Sequence, residues 1–457
     1  MKTKRKEVLF IFLCSFFGLF ALEAYFRKFF ADQLFENVYF HAWPSDIMMQ
    51  TIEIKFMHDF GLQTLWYLHI QPPLFDFIRY VLSIDVGSEI GYVSGADFDQ
   101  RLYLFYVFIY ACFNVLVFIW SLSLGLNKSI AIGVSLMWAV YPGNLAMVTL
   151  LESTYLSAFL IAVLIFALQE TLRRREKKYF YLFLVFFILA SYTRNVFQFQ
   201  IMLLLPIVAF YLASKIAERR KTLLLAAIFG SALVFALPIK QYLLFGTTST
   251  TSLAGQHKIE GIWYYPTEYE LSEIEVNEKF LQNSEKYVNK FNSRQQVEIN
   301  YKYEVLFANL MREKPNLVVD GIEKSTRQGI QRLNIPTQNY QPNPIVDFLP
   351  WSTTTASIAI GQNYLGLGLV ALVLALLRLA VGKNLLTKKN IFYYWPIGVL
   401  LASIFFTILI GSHRYEWTDL ERLKFLIEFP VIIYGFSAIL QLLNFKKKNS
   451  VPKLNHF

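Results

Sequence analysis

The chain has 457 residues, of which 55% are hydrophobic and 17% aromatic, and its mean hydropathy is +0.40. That excludes an ordinary soluble enzyme and points to an integral membrane protein. The net charge of +10 would suit nucleic acid, but the Lys and Arg residues sit in short clusters beside apolar runs, so they read as topology determinants and no nucleic-acid partner is expected.

A span needs about 20 apolar residues. Ten runs qualify, near 8–26, 101–124, 129–148, 153–172, 179–193, 196–213, 222–241, 356–380, 391–410 and 425–444. The first run lacks a small-residue cleavage site and is expected to be retained as a span. Cys14 and Cys112 both lie inside apolar runs and read as small buried hydrophobes rather than a disulfide or metal pair. The expected fold is thus an all-α polytopic membrane protein.

Basic clusters recur at alternate ends of these runs: Lys2, Lys4, Arg5 and Lys6; Arg173, Arg174, Arg175, Lys177 and Lys178; Lys215, Arg219, Arg220 and Lys221; Lys383, Lys388 and Lys389; Lys446, Lys447 and Lys448. They share one cytoplasmic face, with both termini inside, only if residues 72–92 do not cross the membrane. The opposite face then receives a first loop (27–100), turns at Thr149–Ser153 and Ser191–Val196, and a large loop near 243–355. That large loop is rich in Glu and Lys, is punctuated by Pro315, Pro336, Pro342 and Pro344, and is long enough for a subdomain. The division is a transmembrane module over 1–242, an extracytoplasmic subdomain over 243–355 and C-terminal membrane helices over 356–457.

Two surface helices are predicted in the first loop. Pro44-Ser45-Asp46 offers an N-cap and Gly61 a stop, with Ile47, Met48, Ile52, Phe56 and Phe60 forming an apolar stripe and Asp46, Gln50 and Glu53 another side. Pro72-Pro73 starts the second, since proline suits a first helical turn. Its apolar face is Leu74, Phe75, Phe77, Ile78, Val81 and Leu82, and its polar face Asp76, Arg79, Tyr80 and Ser83. Such helices would lie on the outer leaflet with the apolar face down. His69 and Gln71 are held just ahead of a helix N-terminus, where an anion is favoured.

His69-Ile70-Gln71-Pro72-Pro73-Leu74-Phe75 resembles the H-x-[HQ]-P-P-L-[FY] segment of membrane glycosyltransferases of the GT-C fold, which include protein O-mannosyltransferases and the lipid A aminoarabinose transferase. The likeness extends to Asp46 as the acidic residue of the first loop, to the Leu150-Leu151-Glu152 turn and to Ala190-Ser191-Tyr192-Thr193-Arg194, covering roughly residues 8–215. Many such proteins carry two acidic residues in the first loop, whereas Asp46 has no acidic neighbour. The resemblance implies inverting transfer of a sugar from a polyprenyl-phosphate donor to a lipid, glycan or protein hydroxyl on the extracytoplasmic face. No metal ligands are assigned and no cofactor is fixed, with a divalent metal left open.

That chemistry needs a base for the acceptor hydroxyl, for which Asp46 comes first and Glu53 second. It also needs cations in place for the departing phosphate. Arg194 leads there, followed by Arg79, Arg414 and Arg422, while His69 and Gln71 could donate hydrogen bonds. Glu152 would position the acceptor or tune Arg194. Plainer readings stand beside these: Asp46 as a helix cap, Arg194 snorkelling to headgroups, and Asp76 with Arg79 as a surface ion pair of little worth, the preferred reading of Asp76. Trp43, Trp66, Trp263 and Trp351 read as an interfacial belt. The alternatives to an enzyme are a flippase or transporter of lipid-linked sugars and a non-catalytic scaffold.

Overall fold

The computed structural model describes residues 2–30, 51–84, 96–195, 199–216, 219–247, 249–286, 292–332, 388–411 and 425–434. Among these every regular element is helical. The elements run α1 (Lys2–Phe30), α2 (Ile54–Phe60), α3 (Gln63–Tyr67), α4 (Leu74–Ser83), α5 (Ala96–Ser123), α6 (Lys128–Ala139), α7 (Pro142–Thr149), α8 (Ser153–Arg174) and α9 (Lys177–Ser191). They continue with α10 (Phe199–Lys215), α11 (Arg220–Phe245), α12 (Ala254–Gly261), α13 (Glu268–Ser272), α14 (Glu278–Ser284), α15 (Arg294–Glu313), α16 (Pro315–Arg332), α17 (Lys388–Gly411) and α18 (Phe425–Tyr434).

Among the described residues four helical stretches are long and apolar enough to cross a membrane: Arg5–Tyr25, Phe98–Ser123, Ser153–Arg174 and Arg220–Phe245. The run expected at 129–148 is broken instead. Asn127 caps α6 by accepting the Ile130 N–H at 2.9 Å, and Pro142 opens α7 after a bend of 52°. The pair makes a fifth crossing if it counts as one span. With 15 residues, α9 falls short of the roughly 20 that a bilayer asks for. The run expected at 356–380 lies outside the described residues.

The bundle is built around α8, whose residues from Thr154 to Leu172 are almost all buried against α5, α9, α10 and α17. One apolar core joins it to α1, α11 and α18. Large apolar side chains face outward instead on α1 (Leu9, Phe10, Phe17), α10 (Leu203, Ile207) and α11 (Leu225, Ile228, Phe229). Cys14 is on the exposed side of α1 rather than buried, and it is free.

The tight turns fix which ends meet. The α8–α9 turn at 173–178 and the α10–α11 turn at 215–221 carry the basic clusters, so both lie at one end of the bundle. Lys128 bonds Glu7 there, bringing the start of α6 to the start of α1. The starts of α8 and α10 and the end of α11 share the opposite end. The chain after α11 forms a separate helical layer with its own small core of Ile259, Ile262, Leu306, Leu310 and Val318. In it α12 lies close on α15, where a Cβ added at Gly255 would sit 2.3 Å from the Asn300 carbonyl oxygen.

The first loop departs from expectation in two ways. Residues 51–53 are not helical, and Glu53 stands at the N-cap of a helix that begins only at Ile54. Gly61 ends that helix as expected, in a left-handed conformation (φ +59°) that only glycine adopts cheaply. In α4 the polar side is buried. Asp76, Arg79 and Ser83 face the protein together with Phe75, while Phe77 and Val81 are exposed. Asp76 and Arg79 are therefore not a surface pair. Of the apolar stripe, Phe77 and Val81 turn away from the protein, while Leu74, Ile78 and Leu82 pack half-buried against the core.

Candidate functional site

Residues 68–70 form an extended strap after α3, held through each of its carbonyls. The Leu68 oxygen accepts from Lys240 Nζ at 2.6 Å and from Gln241 Nε2 at 3.3 Å. The His69 oxygen accepts the Ser252 N–H at 2.8 Å, and the Ile70 oxygen accepts the Thr251 hydroxyl at 2.5 Å. The His69 N–H donates to Asn292 Oδ1 at 3.0 Å. The polar run after α11 thus has a local purpose: its hydroxyls and N–H groups satisfy a strap that forms no ladder of its own.

Pro73 caps α4, and neither Pro72 nor Pro73 has an N–H to offer. The first free donor of the helix, Leu74 N–H, reaches across to the Tyr192 carbonyl at 2.7 Å. That bond ties the Pro-Pro segment to the Ser191–Asn195 turn.

Behind the prolines lies a buried clasp. Asp76 Oδ2 accepts from Gln71 Nε2 at 2.6 Å, and Oδ1 accepts from the Ile52 N–H at 3.0 Å and from Arg79 Nη1 at 2.8 Å. Arg79 Nη1 also donates to the Ile52 carbonyl at 2.8 Å. Burial pushes the Asp76 carboxyl up, while the guanidinium, the Gln71 amide and the Ile52 N–H pull it back. The clasp pins the chain ahead of α2 to α4. Gln71 and Arg79 both donate to Asp76 there.

The second cluster gathers at the start of α8. Arg194 is buried and its Nη1 donates to the Thr154 hydroxyl, with Ser153 Oγ at 3.5 Å. Thr154 in turn donates to Glu152 Oε2 at 3.2 Å, so one hydroxyl bridges Arg194 and Glu152. The Tyr106 hydroxyl donates to the Glu152 carbonyl, and this phenol feels the charges of Glu152, Arg194 and Arg79. Leu151 sits at φ +53°, a left-handed conformation costing a leucine about 1–2 kcal/mol. Strain of that kind persists where the surroundings hold it, often at functional turns.

His69 is wholly buried, with Nδ1 2.7 Å from Ser252 Oγ and its ring 4.9 Å from that of Phe245. Burial, with Lys240 adding to it, brings the imidazole down to about 3, so the ring is neutral at physiological pH.

The residues singled out in the sequence therefore fall into three places. Glu152 and Arg194 come together. Gln71 and Arg79 join the clasp, with Glu53 one residue beyond Ile52. His69 joins the loop after α11. Asp46, Arg414, Arg422, Trp43 and Trp351 lie outside the described residues. Among the described residues no three His, Cys, Asp or Glu side chains are placed to hold a metal ion.

Two residues escaped the sequence reading. Lys240 is the lone charge in the apolar stretch 222–245, and Glu428 the lone charge in 425–444. Glu428 is buried and accepts the Tyr141 hydroxyl at 2.6 Å, at the break between α6 and α7. Trp138 stacks on both Tyr141 and Phe425 beside it. An ionisable side chain inside an apolar run was itself the signal that should have found both.

No family model, curated protein or solved structure matches the chain.

Proposed function

We propose that this protein is a membrane glycosyltransferase of GT-C type. It moves a sugar from a polyprenyl-phosphate donor to an acceptor hydroxyl, with inversion, on the extracytoplasmic face of a cell membrane. The ten-span topology with both termini cytoplasmic belongs to this reading. Its main support is the convergence of three segments far apart in sequence. The Pro-Pro segment, the Leu-Leu-Glu turn and the Ser-Tyr-Thr-Arg turn are joined by the Leu74–Tyr192 and Arg194–Thr154 bonds, at the end of the bundle opposite the basic turns.

In this reading Arg194 receives the charge that grows on the departing phosphate, already oriented by Thr154. Glu152 holds the Thr154 hydroxyl and lies where an acceptor would be positioned. Asp46, or Glu53 after it, takes the acceptor proton. The Asp76 clasp sets the angle at which the strap bearing His69 enters α4. An exposed apolar side on α4, with Phe77 and Val81, suits a lipid tail approaching from the bilayer.

The deciding experiment is mass spectrometry of envelope lipids and glycans with and without the protein, followed by transfer assays with purified protein. Loss of one sugar unit on deletion, restored by wild type and not by Asp46→Asn, is the expected result. An unchanged glycan and lipid profile would remove the enzymatic reading.

A second reading, a flippase for lipid-linked sugars, draws on the broken span α6–α7, since interrupted helices line many transport sites. Reconstituted vesicles separate the two. A flippase moves labelled lipid-linked sugar between leaflets without an acceptor, whereas a transferase consumes it only with one.

A further inference from the structure

We infer that Lys240, His69 and Ser252 form a binding site for a phosphoryl anion where the end of α11 meets the strap. Three observations carry it. Lys240 lies five residues before the end of a membrane-length helix and makes no ion pair among the described residues. Its ammonium has three donors, and the one hydrogen bond it makes among the described residues, to the Leu68 carbonyl, uses one of them. A lysine in such a helix is costly to keep without a compensating partner.

The second observation is His69. Its Nδ1 is engaged by Ser252, but Nε2 has no hydrogen-bond partner among the described residues although the side chain is fully buried. An unmet buried polar atom costs about 1–3 kcal/mol. A Ser252 hydroxyl that donates to Nδ1 leaves the ring proton on Nε2, which then carries a second, unused donor.

The third is their juxtaposition. Lys240 Nζ is 5.8 Å from the centre of the Phe245 ring and the imidazole centre is 4.9 Å from it, so both stand against one aromatic side chain. The charge that His69 feels is that of Lys240, and among the described residues no carboxylate acts on either group. A lysine Nζ beside an unused N–H, with no acidic neighbour among the described residues, is complementary to a phosphate oxygen. A lysine that merely snorkels to the Leu68 carbonyl leaves Nε2 unexplained.

The inference deepens the transfer reading and rests on it for the lipid carrier. Its test reads binding rather than transfer. Farnesyl phosphate and farnesol are titrated into the full-length protein in detergent, with wild type compared to Lys240→Met and His69→Asn. Asparagine keeps an amide near the Nδ1 position for Ser252 and deletes only Nε2.

Farnesyl phosphate should bind wild type at least tenfold more tightly than farnesol does. Each variant should lose at least tenfold of that affinity, with the unliganded melting temperature of His69→Asn close to wild type. Displacement by millimolar inorganic phosphate supports a site open to free phosphate as well, and no displacement supports one reached only by lipid-borne phosphate. Should Lys240→Met fail to fold, His69→Asn decides alone. Equal binding of farnesyl phosphate and farnesol, or wild-type affinity in the folded variants, overturns the site. A protein that binds through these residues but transfers no sugar keeps the site and loses the transferase reading.

Discussion

Asp76 and Arg79 meet at 2.8 Å one turn apart on α4, and neither side chain is exposed. An exposed pair at that spacing contributes a few tenths of a kcal/mol. A buried pair has lost the hydration of both ions, and only close geometry with further hydrogen bonds offsets that loss. The Gln71 amide and the Ile52 N–H and carbonyl supply those bonds. The arrangement therefore specifies where the chain before α2 lies against α4, whatever it adds to net stability.

Removing one partner strands the other. Asp76→Ala should destabilise the protein by about 3–5 kcal/mol, because Arg79 is left buried with its charge unmatched. The double variant Asp76→Leu/Arg79→Met should recover most of that loss. Thermal unfolding in detergent checks both, and a single variant as stable as the double would show that the pair is not matched in this way.

Arg194 reaches the start of α8 through the Thr154 hydroxyl, with Ser153 Oγ at 3.5 Å. Arg194→Met should lower donor kcat/KM by about 100-fold or more, the scale of losing one donor aimed at developing negative charge. Thr154→Val keeps shape and removes the bridge to Glu152, so it should cost about tenfold with little change in melting temperature. Donor kinetics with a polyprenyl-phosphate sugar decide the matter. Wild-type kinetics in Arg194→Met would assign the side chain to lipid headgroups.

Periodicity and charge placed the long helices and the two turns well, because lipid-facing and core-facing residues follow the helical repeat. They misjudged the polar side of α4, since a period shows that two faces differ and not what each one packs against. Asp76 and Arg79 turn inward because Ile52 and Gln71 supply partners, and such partners are invisible to any local window. The break at Pro142 had a local cause in the proline itself. Lys240 was missed for the opposite reason: one charge near the end of an apolar run reads as a boundary. Only the fold brings it to Leu68, 172 residues away.

His69 gives the protein a pH signature. An unfolded imidazole titrates near 6.5, but burial holds the folded one at about 3. Below pH 6.5 the unfolded chain therefore takes a proton that the folded protein refuses. Stability from this group is complete above that pH and falls by about 1.4 kcal/mol per unit as pH drops toward 3. Asp76 works the other way, since its raised carboxyl takes up its proton in the folded state first. His69→Asn leaves the Asp76 contribution in place and abolishes the His69 slope. Melting temperatures between pH 7.5 and 4.5 should fall more steeply for wild type than for the variant, and parallel curves would refute the assignment.

The placement of α4 predicts topology. Leu74 bonds Tyr192 at the end of α9 opposite the basic turn, while Lys128 and Glu7 meet at the basic end. If basic turns face the cytoplasm, α4 and the chain that follows it face outside. Single cysteines replacing Asp85 and Asp97, in a background without Cys14 and Cys112, should both react with a membrane-impermeant maleimide on intact cells. A cysteine at Glu176, in the α8–α9 turn, should react only after permeabilisation. Labelling at 85 or 97 only from the cytoplasm would place the Pro-Pro segment inside, and with it the Arg194 cluster to which it is bonded. Transfer from an outward-facing donor would then have no site to occur in, so this one experiment bears on the function as directly as on the fold.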